Sequence, residues 1–125
     1  DRLGLTRFAA LARSDEDHVA LCLSLIAPER VCAVALLSPD LRSRDGAVED
    51  AALIERLGDV KTPVVAAFGA LDRIATPNTA RLWRERLPDA RIVFVQDATE
   101  VERDRPHATA RLVRDFLTTY CGDGA

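Results

Sequence analysis

Apolar and polar positions alternate in blocks along this chain. Phe8 to Ala12 is a short apolar run of strand length. Four polar residues follow, Arg13-Ser14-Asp15-Glu16; then Val19 to Ala27 is almost entirely apolar until Pro28 stops it. Asp17 to Ala27 reads as a helix apolar on nearly every face, and such a helix must be buried on most sides. A strand, a tight polar corner and a buried helix form the plan of a central α/β unit. The corner carrying Ser14 opens at the C-terminal edge of the sheet, where open α/β sheets build their sites.

The same alternation continues. Asp1 to Arg7 reads as a helix end and turn, with Gly4 closing the helix. Val31 to Leu37 is a second strand, apolar on both faces as a central parallel strand should be. Leu41 to Asp45 is polar and exposed. Ala47 to Leu57 forms a helix with Val48, Ala51, Ala52 and Leu57 on one side, closed by Gly58. Pro63 opens a third strand, Val64 to Phe68, followed by the loop Gly69-Ala70-Leu71-Asp72. Thr76 and Pro77 start a helix whose inward face is Ala80, Trp83 and Leu87. Arg91 to Val95 is the fourth strand, and Asp97 to Arg105 a long polar loop. Pro106 begins the last helix, with Leu112, Val113, Phe116, Leu117 and Tyr120 inward. The order β-α-β-α-β-α-β-α predicts an α/β fold: a four-stranded parallel sheet with helices on both faces, three layers in all. One domain covers residues 1–120, and 121–125 is a tail or linker.

Composition narrows the class. A chain of 125 residues holds one domain with a real core. A net charge of −3 argues against a nucleic-acid or anionic-membrane surface. No apolar run reaches the roughly 20 residues that span a bilayer, and no signal peptide opens the chain. Cys22, Cys32 and Cys121 show no metal spacing; two lie in apolar runs, which predicts small core residues in a reducing compartment, the cytoplasm. The start at Asp1 and the lack of methionine predict a cut or processed piece. Lys61 is the only lysine among many arginines, which suggests a GC-rich coding source.

Five segments in order resemble the C-terminal half of an α/β-hydrolase. Leu3 to Val31 (L-G-L-T-R-F-A-A-L-A-R-S-D-E-D-H-V-A-L-C-L-S-L-I-A-P-E-R-V) is similar to that family's nucleophile strand, elbow and following helix. V-A-L-L-S-P resembles the next strand, and T-P-V-V-A-A-F-G-A-L-D-R-I-A-T-P the strand and loop carrying the acid. L-P-D-A-R-I-V-F-V resembles the last strand, and Val101 to Leu117 the terminal helix with its approach. The resemblance implies Ser14 as nucleophile and Asp72, in the G-x-x-D position, as acid. It places Thr99 or Glu100 where the family has its histidine. It also implies earlier strands beside Phe8–Ala12, supplied by an upstream N-terminal half or by a partner chain.

Here the chain departs from the family's chemistry. The elbow needs small residues because strand and helix pass close together there. This one reads Ala12-Arg13-Ser14-Asp15-Glu16, and Glu16 is not small. A serine hydroxyl is a weak nucleophile until a base takes its proton. Carboxylates ordinarily titrate far below neutral pH, a poor match to that task. Asp15, Glu16 and Asp17 also oppose a developing oxyanion at the helix start.

Each candidate has a structural alternative. Ser14-Asp15-Glu16-Asp17 is also a helix-capping sequence. Asp72 is also a turn aspartate beside Arg73. His18 suits the edge of a core, and His107 a helix start beyond the base position. Glu100, Glu102 and Asp104 lack a paired histidine and read as charged surface rather than a metal site. Arg103, Arg105, Arg111 and Arg114 pair with those acids across helical turns. The expectation is an α/β-hydrolase-like domain without catalysis, binding a small hydrophobic or acyl ligand or a partner, with no cofactor and no metal. Two alternatives stand beside it: an active serine hydrolase of ester-type bonds using Ser14 and Asp72, and a structural or dimerising half-sheet. The stretch between Leu37 and Pro63 is too short for an elaborate lid, so nothing in the sequence identifies a substrate.

Overall fold

The computed structural model describes residues 7–13, 17–39, 56–71, 77–87 and 89–122. The expectations for Gly4, for Leu41 to Asp45 and for most of the Ala47–Leu57 helix fall outside those residues. Four parallel strands, β1 (Phe8–Arg13), β2 (Val31–Leu37), β3 (Val64–Gly69) and β4 (Arg91–Val95), lie side by side in sequence order. Between them run helices α1 (Asp17–Ile26) and α2 (Pro77–Arg86) and a short 3-10 turn, Leu57–Asp59. After β4 come a one-turn helix, α3 (Val101–Asp104), and the long helix α4 (Pro106–Cys121).

The predicted α/β architecture is the observed one. β2 and β3 are buried along their whole length, as expected of strands covered on both faces. Alternation of side chains along each strand sorts the core into two layers. Val34, Leu36, Ala66 and Phe68 pack with Leu21 of α1 and Trp83 of α2 on one face. Ala33, Ala35 and Val65 pack under Phe116, Val113 and Leu117 of α4 on the other. Small residues at Ala33, Ala35, Ala66 and Ala67 let the helices sit close to the sheet.

Three expectations are corrected. First, α1 is not buried on most sides. Ala20, Leu21 and Ser24 are buried, but Cys22, Leu23 and Ile26 are exposed, Ile26 by 78%. The reason is positional: β1 is an edge of the described sheet, so α1 covers an edge, and no described element lies outside it. Second, Asp97 to Arg105 is not simply a polar loop; Ala98 and Val101 are fully buried in a small cluster with Leu37 and Ala67. Third, the cysteines are not all free core residues. Cys32, early in β2, is disulfide-bonded to Cys121 at the end of α4, across 89 residues of sequence, and Cys22 is an exposed free thiol. Cys121 therefore closes a helix rather than opening a tail. Its pairing with Cys32 joins residues from opposite ends of the chain, which their sequence spacing does not reveal.

The open edge of β1 lies between two apolar grooves. Leu11, exposed by 59%, contributes to a groove of about 540 Å³ with Leu37, Val113 and Leu117. On the other side of the strand, Phe8, Ala10, Ala12, Ala20 and Leu23 line a groove of about 320 Å³. No helix among the described residues is long and apolar enough to cross a membrane.

The disulfide closes a long loop, which removes roughly 4.5 kcal/mol of freedom from the unfolded chain by loop-entropy reasoning. Replacing Cys32 or Cys121 by serine, or adding reductant, should lower the free energy of denaturant unfolding by about that amount. Thiol titration of the denatured chain should find one reactive cysteine without reductant and all three with it. Three thiols before reduction would contradict the pairing.

Candidate functional site

The C-terminal ends of the four strands lie together because the register aligns them. Arg13 pairs with Leu37, Leu37 with Ala67, and Gly69 with Val95. The Gly69-Ala70-Leu71 segment and the turn after β4 leave this edge, with Ser38 just past the end of β2. Ser14 and Asp72 lie outside the described residues, as does the His18 side chain. Thr99, Glu100, Glu102 and His107 are described.

The loop leading to Asp72 and the turn holding Thr99 and Glu100 are laced together. The Ala70 amide donates to the Val95 carbonyl and the Leu71 amide to the Ala98 carbonyl, both at 2.9 Å. Gly69 is what permits this approach: a Cβ there would collide with the carbonyl oxygens of Ala98 and Thr99. The glycine of the G-x-x-D segment is thus explained by contact with a turn distant in sequence. Asp97 and Ser38, each just past a strand end, have φ of 57° and 51°, in the left-handed region. The Ser38 hydroxyl accepts from the Val101 amide at 3.2 Å and ties the turn to β2.

Asp104 organises the turn. Its carboxylate accepts from the amides of Thr99 at 2.9 Å and Glu100 at 3.3 Å. The Arg103 guanidinium donates to the same carboxylate at 2.9 Å. That hydrogen bond, with those from the Thr99 and Glu100 amides, pulls the Asp104 carboxyl down to about 2. Thr109 in α4 donates its hydroxyl to the Val101 carbonyl at 2.9 Å, completing the support from below.

This geometry sets what each candidate can do. Glu100 is half exposed (45%), with one oxygen 3.9 Å from Arg103. It faces solvent beside a cation, and no imidazole occupies the turn. His107 is exposed in the first turn of α4. Arg105 reaches Asp97 at 3.3 Å and Arg114 its neighbour Asp115 at 3.6 Å; among the described residues, Arg103 with Glu100 follows the predicted spacing across a helical turn. No group of three potential metal ligands is present among the described residues.

Glu102 corrects the reading of a charged surface. Both of its carboxylate oxygens are buried without a hydrogen-bond partner. It was missed because a glutamate flanked by charged residues looks solvated; the signal was Val101, the apolar residue that anchors its short helix in the core. Asp104 as a cap was missed because it lies five residues beyond Thr99, outside local capping patterns.

By sequence, no protein-family model and no curated protein matches the chain. Solved structures match by shape. An α/β-hydrolase enzyme from the metagenome of Mar Chica lagoon sediments in Morocco superposes with a TM-score of 0.80 at 18% identity, covering 95% of this chain and 64% of that one. Proline iminopeptidase from Mycobacterium smegmatis gives 0.82 at 14% identity, covering 95% and 67%. A predicted hydrolase from Thermoplasma acidophilum gives 0.78 at 15% identity, covering 94% and 53%. The chain thus spans about half to two-thirds of the length of these structures.

Two predictions follow from the lacing. Gly69→Ala should destabilise the fold by about 1–3 kcal/mol in denaturant unfolding, because backbone, not a mobile side chain, must give way. A change within a few tenths would mean the turn is not held there. Asp104 should titrate in a carboxyl-carbon NMR experiment near 2 rather than 3.8. Its folded value is depressed, so its contribution is present above 3.8 and is lost as pH falls toward 2. A midpoint at 3.8 would contradict the cap. The four strands, their order and their helices are those of an α/β-hydrolase fold.

Proposed function

We propose that this chain is an α/β-hydrolase-like domain that does not turn over substrate and instead binds an apolar or acyl ligand. The observation that carries this reading is the turn after β4. Thr99 and Glu100 stand where the resemblance expects a histidine. Their amides are engaged by Asp104, and the Glu100 carboxylate faces solvent beside Arg103. A serine without a positioned base is not activated. In this reading the Ser14 corner is the remnant of a nucleophile elbow, and Ser14 caps α1.

The groove of about 540 Å³ beside Leu11 supports the ligand half of the proposal. Its size falls within the range of small-molecule sites, and its walls include Leu37, Val113 and Leu117. Among the described residues the outer edge of β1 is unpaired and flanked by apolar grooves, an aggregation hazard unless covered. That supports a further stretch of the same protein, or a partner chain, pairing with Phe8–Ala12. For the compartment, the cytoplasmic reading rested on unpaired cysteines. The Cys32–Cys121 disulfide supports an oxidising compartment instead.

One observation favours the second reading, an ester hydrolase using Ser14 and Asp72. Gly69 and the bonds from Ala70 and Leu71 keep the loop that leads to Asp72 against the Thr99–Glu100 turn. If that reading holds, Glu102, with its buried unpartnered carboxylate, is the base to replace first.

Labelling with a fluorophosphonate probe, read by peptide mass spectrometry on the folded chain, separates the two readings. The proposal expects no adduct on Ser14. An adduct there, absent after chemical unfolding, would show an activated nucleophile and overturn it.

A further inference from the structure

At the opposite end of the sheet from the Ser14 corner, the chain encloses a second pocket of about 320 Å³. It lies before the N-terminal ends of β3 and β4, between the 3-10 turn and the end of α2. Its walls include Leu57, Val64 and Leu87, all buried. Thr62 also lines it; this residue is only 8% exposed, and its hydroxyl oxygen is buried with no hydrogen-bond partner. A buried hydroxyl left unpaired is costly. Pro63 after it has no N–H to offer.

Charge gives the pocket a preference. Lys61 and Arg86 both line it, both are exposed, and neither is in an ion pair among the described residues. Against them stand Asp89 and the carbonyl end of α2. Two full positive charges outweigh one carboxylate and a partial helix charge of about half a unit. The balance favours a monoanion with an apolar body.

We propose that this pocket binds a small organic carboxylate. Lys61 and Arg86 supply the charge, the Thr62 hydroxyl a hydrogen bond, and Leu57, Val64 and Leu87 the contact for the apolar part. The site is independent of the groove beside β1 and of the fate of Ser14. It uses the chain's only lysine.

The test is an amide NMR titration of the folded chain with sodium butyrate, with butylammonium chloride at matched ionic strength as the charge-reversed probe. Butyrate should give saturable shifts in residues 57–64 and 86–90, and butylammonium should not. The double variant Lys61→Gln, Arg86→Gln keeps the exposed stems, so it should remain folded, and should weaken butyrate binding by about tenfold or more. Thr62→Val, similar in shape and free of the unpaired hydroxyl, should weaken it without lowering the thermal unfolding temperature. Non-saturating shifts, equal responses to both probes, or an unweakened double variant would each overturn the proposal.

Discussion

Burial of β2 and β3 on both faces is the constraint on which the rest depends. Every residue from Val31 to Leu37 and from Val64 to Gly69 is buried. A sheet whose centre is apolar on both sides must carry helices above and below. α1 and α2 meet one face and α4 the other. Because the strands are parallel, their C-terminal ends share one edge, where the Gly69-Ala70-Leu71 segment meets the turn after β4. The disulfide adds a covalent tie between that buried centre and the last turn of α4.

At this edge the described residues form a hydrogen-bonded scaffold. Gly69 admits the Ala98 and Thr99 carbonyls, Ser38 holds the Val101 amide, and Asp104 caps Thr99 and Glu100. The turn after β4 carries Thr99 and a half-exposed Glu100 paired weakly with Arg103. Exposed pairs of this kind contribute little energy. Among the described residues, the carboxylate with both oxygens buried and without a hydrogen-bond partner is that of Glu102.

Strands and their order were legible because short apolar runs set between turn residues report burial directly. β2 and β4 match the sequence expectation to the residue, and β1 and β3 each run one residue longer. Exposure of α1 was not legible, because apolar residues on its outer face look the same whether or not a neighbour covers them. Leu23, in the groove beside β1, and Ile26 are both exposed. The Cys32–Cys121 pairing was hidden because it depends on α4 crossing β2. The role of Gly69 was hidden too, since only the fold brings the Ala98 and Thr99 carbonyls to it.

Steady-state hydrolysis of p-nitrophenyl butyrate, compared between the chain and its Ser14→Ala variant, tests the central claim most directly. The account predicts the same slow rate for both, because a serine without a positioned base is not activated. A rate that falls by about a hundredfold or more in the variant, as loss of an activated nucleophile would cause, would contradict it and make the Ser14 corner a working nucleophile.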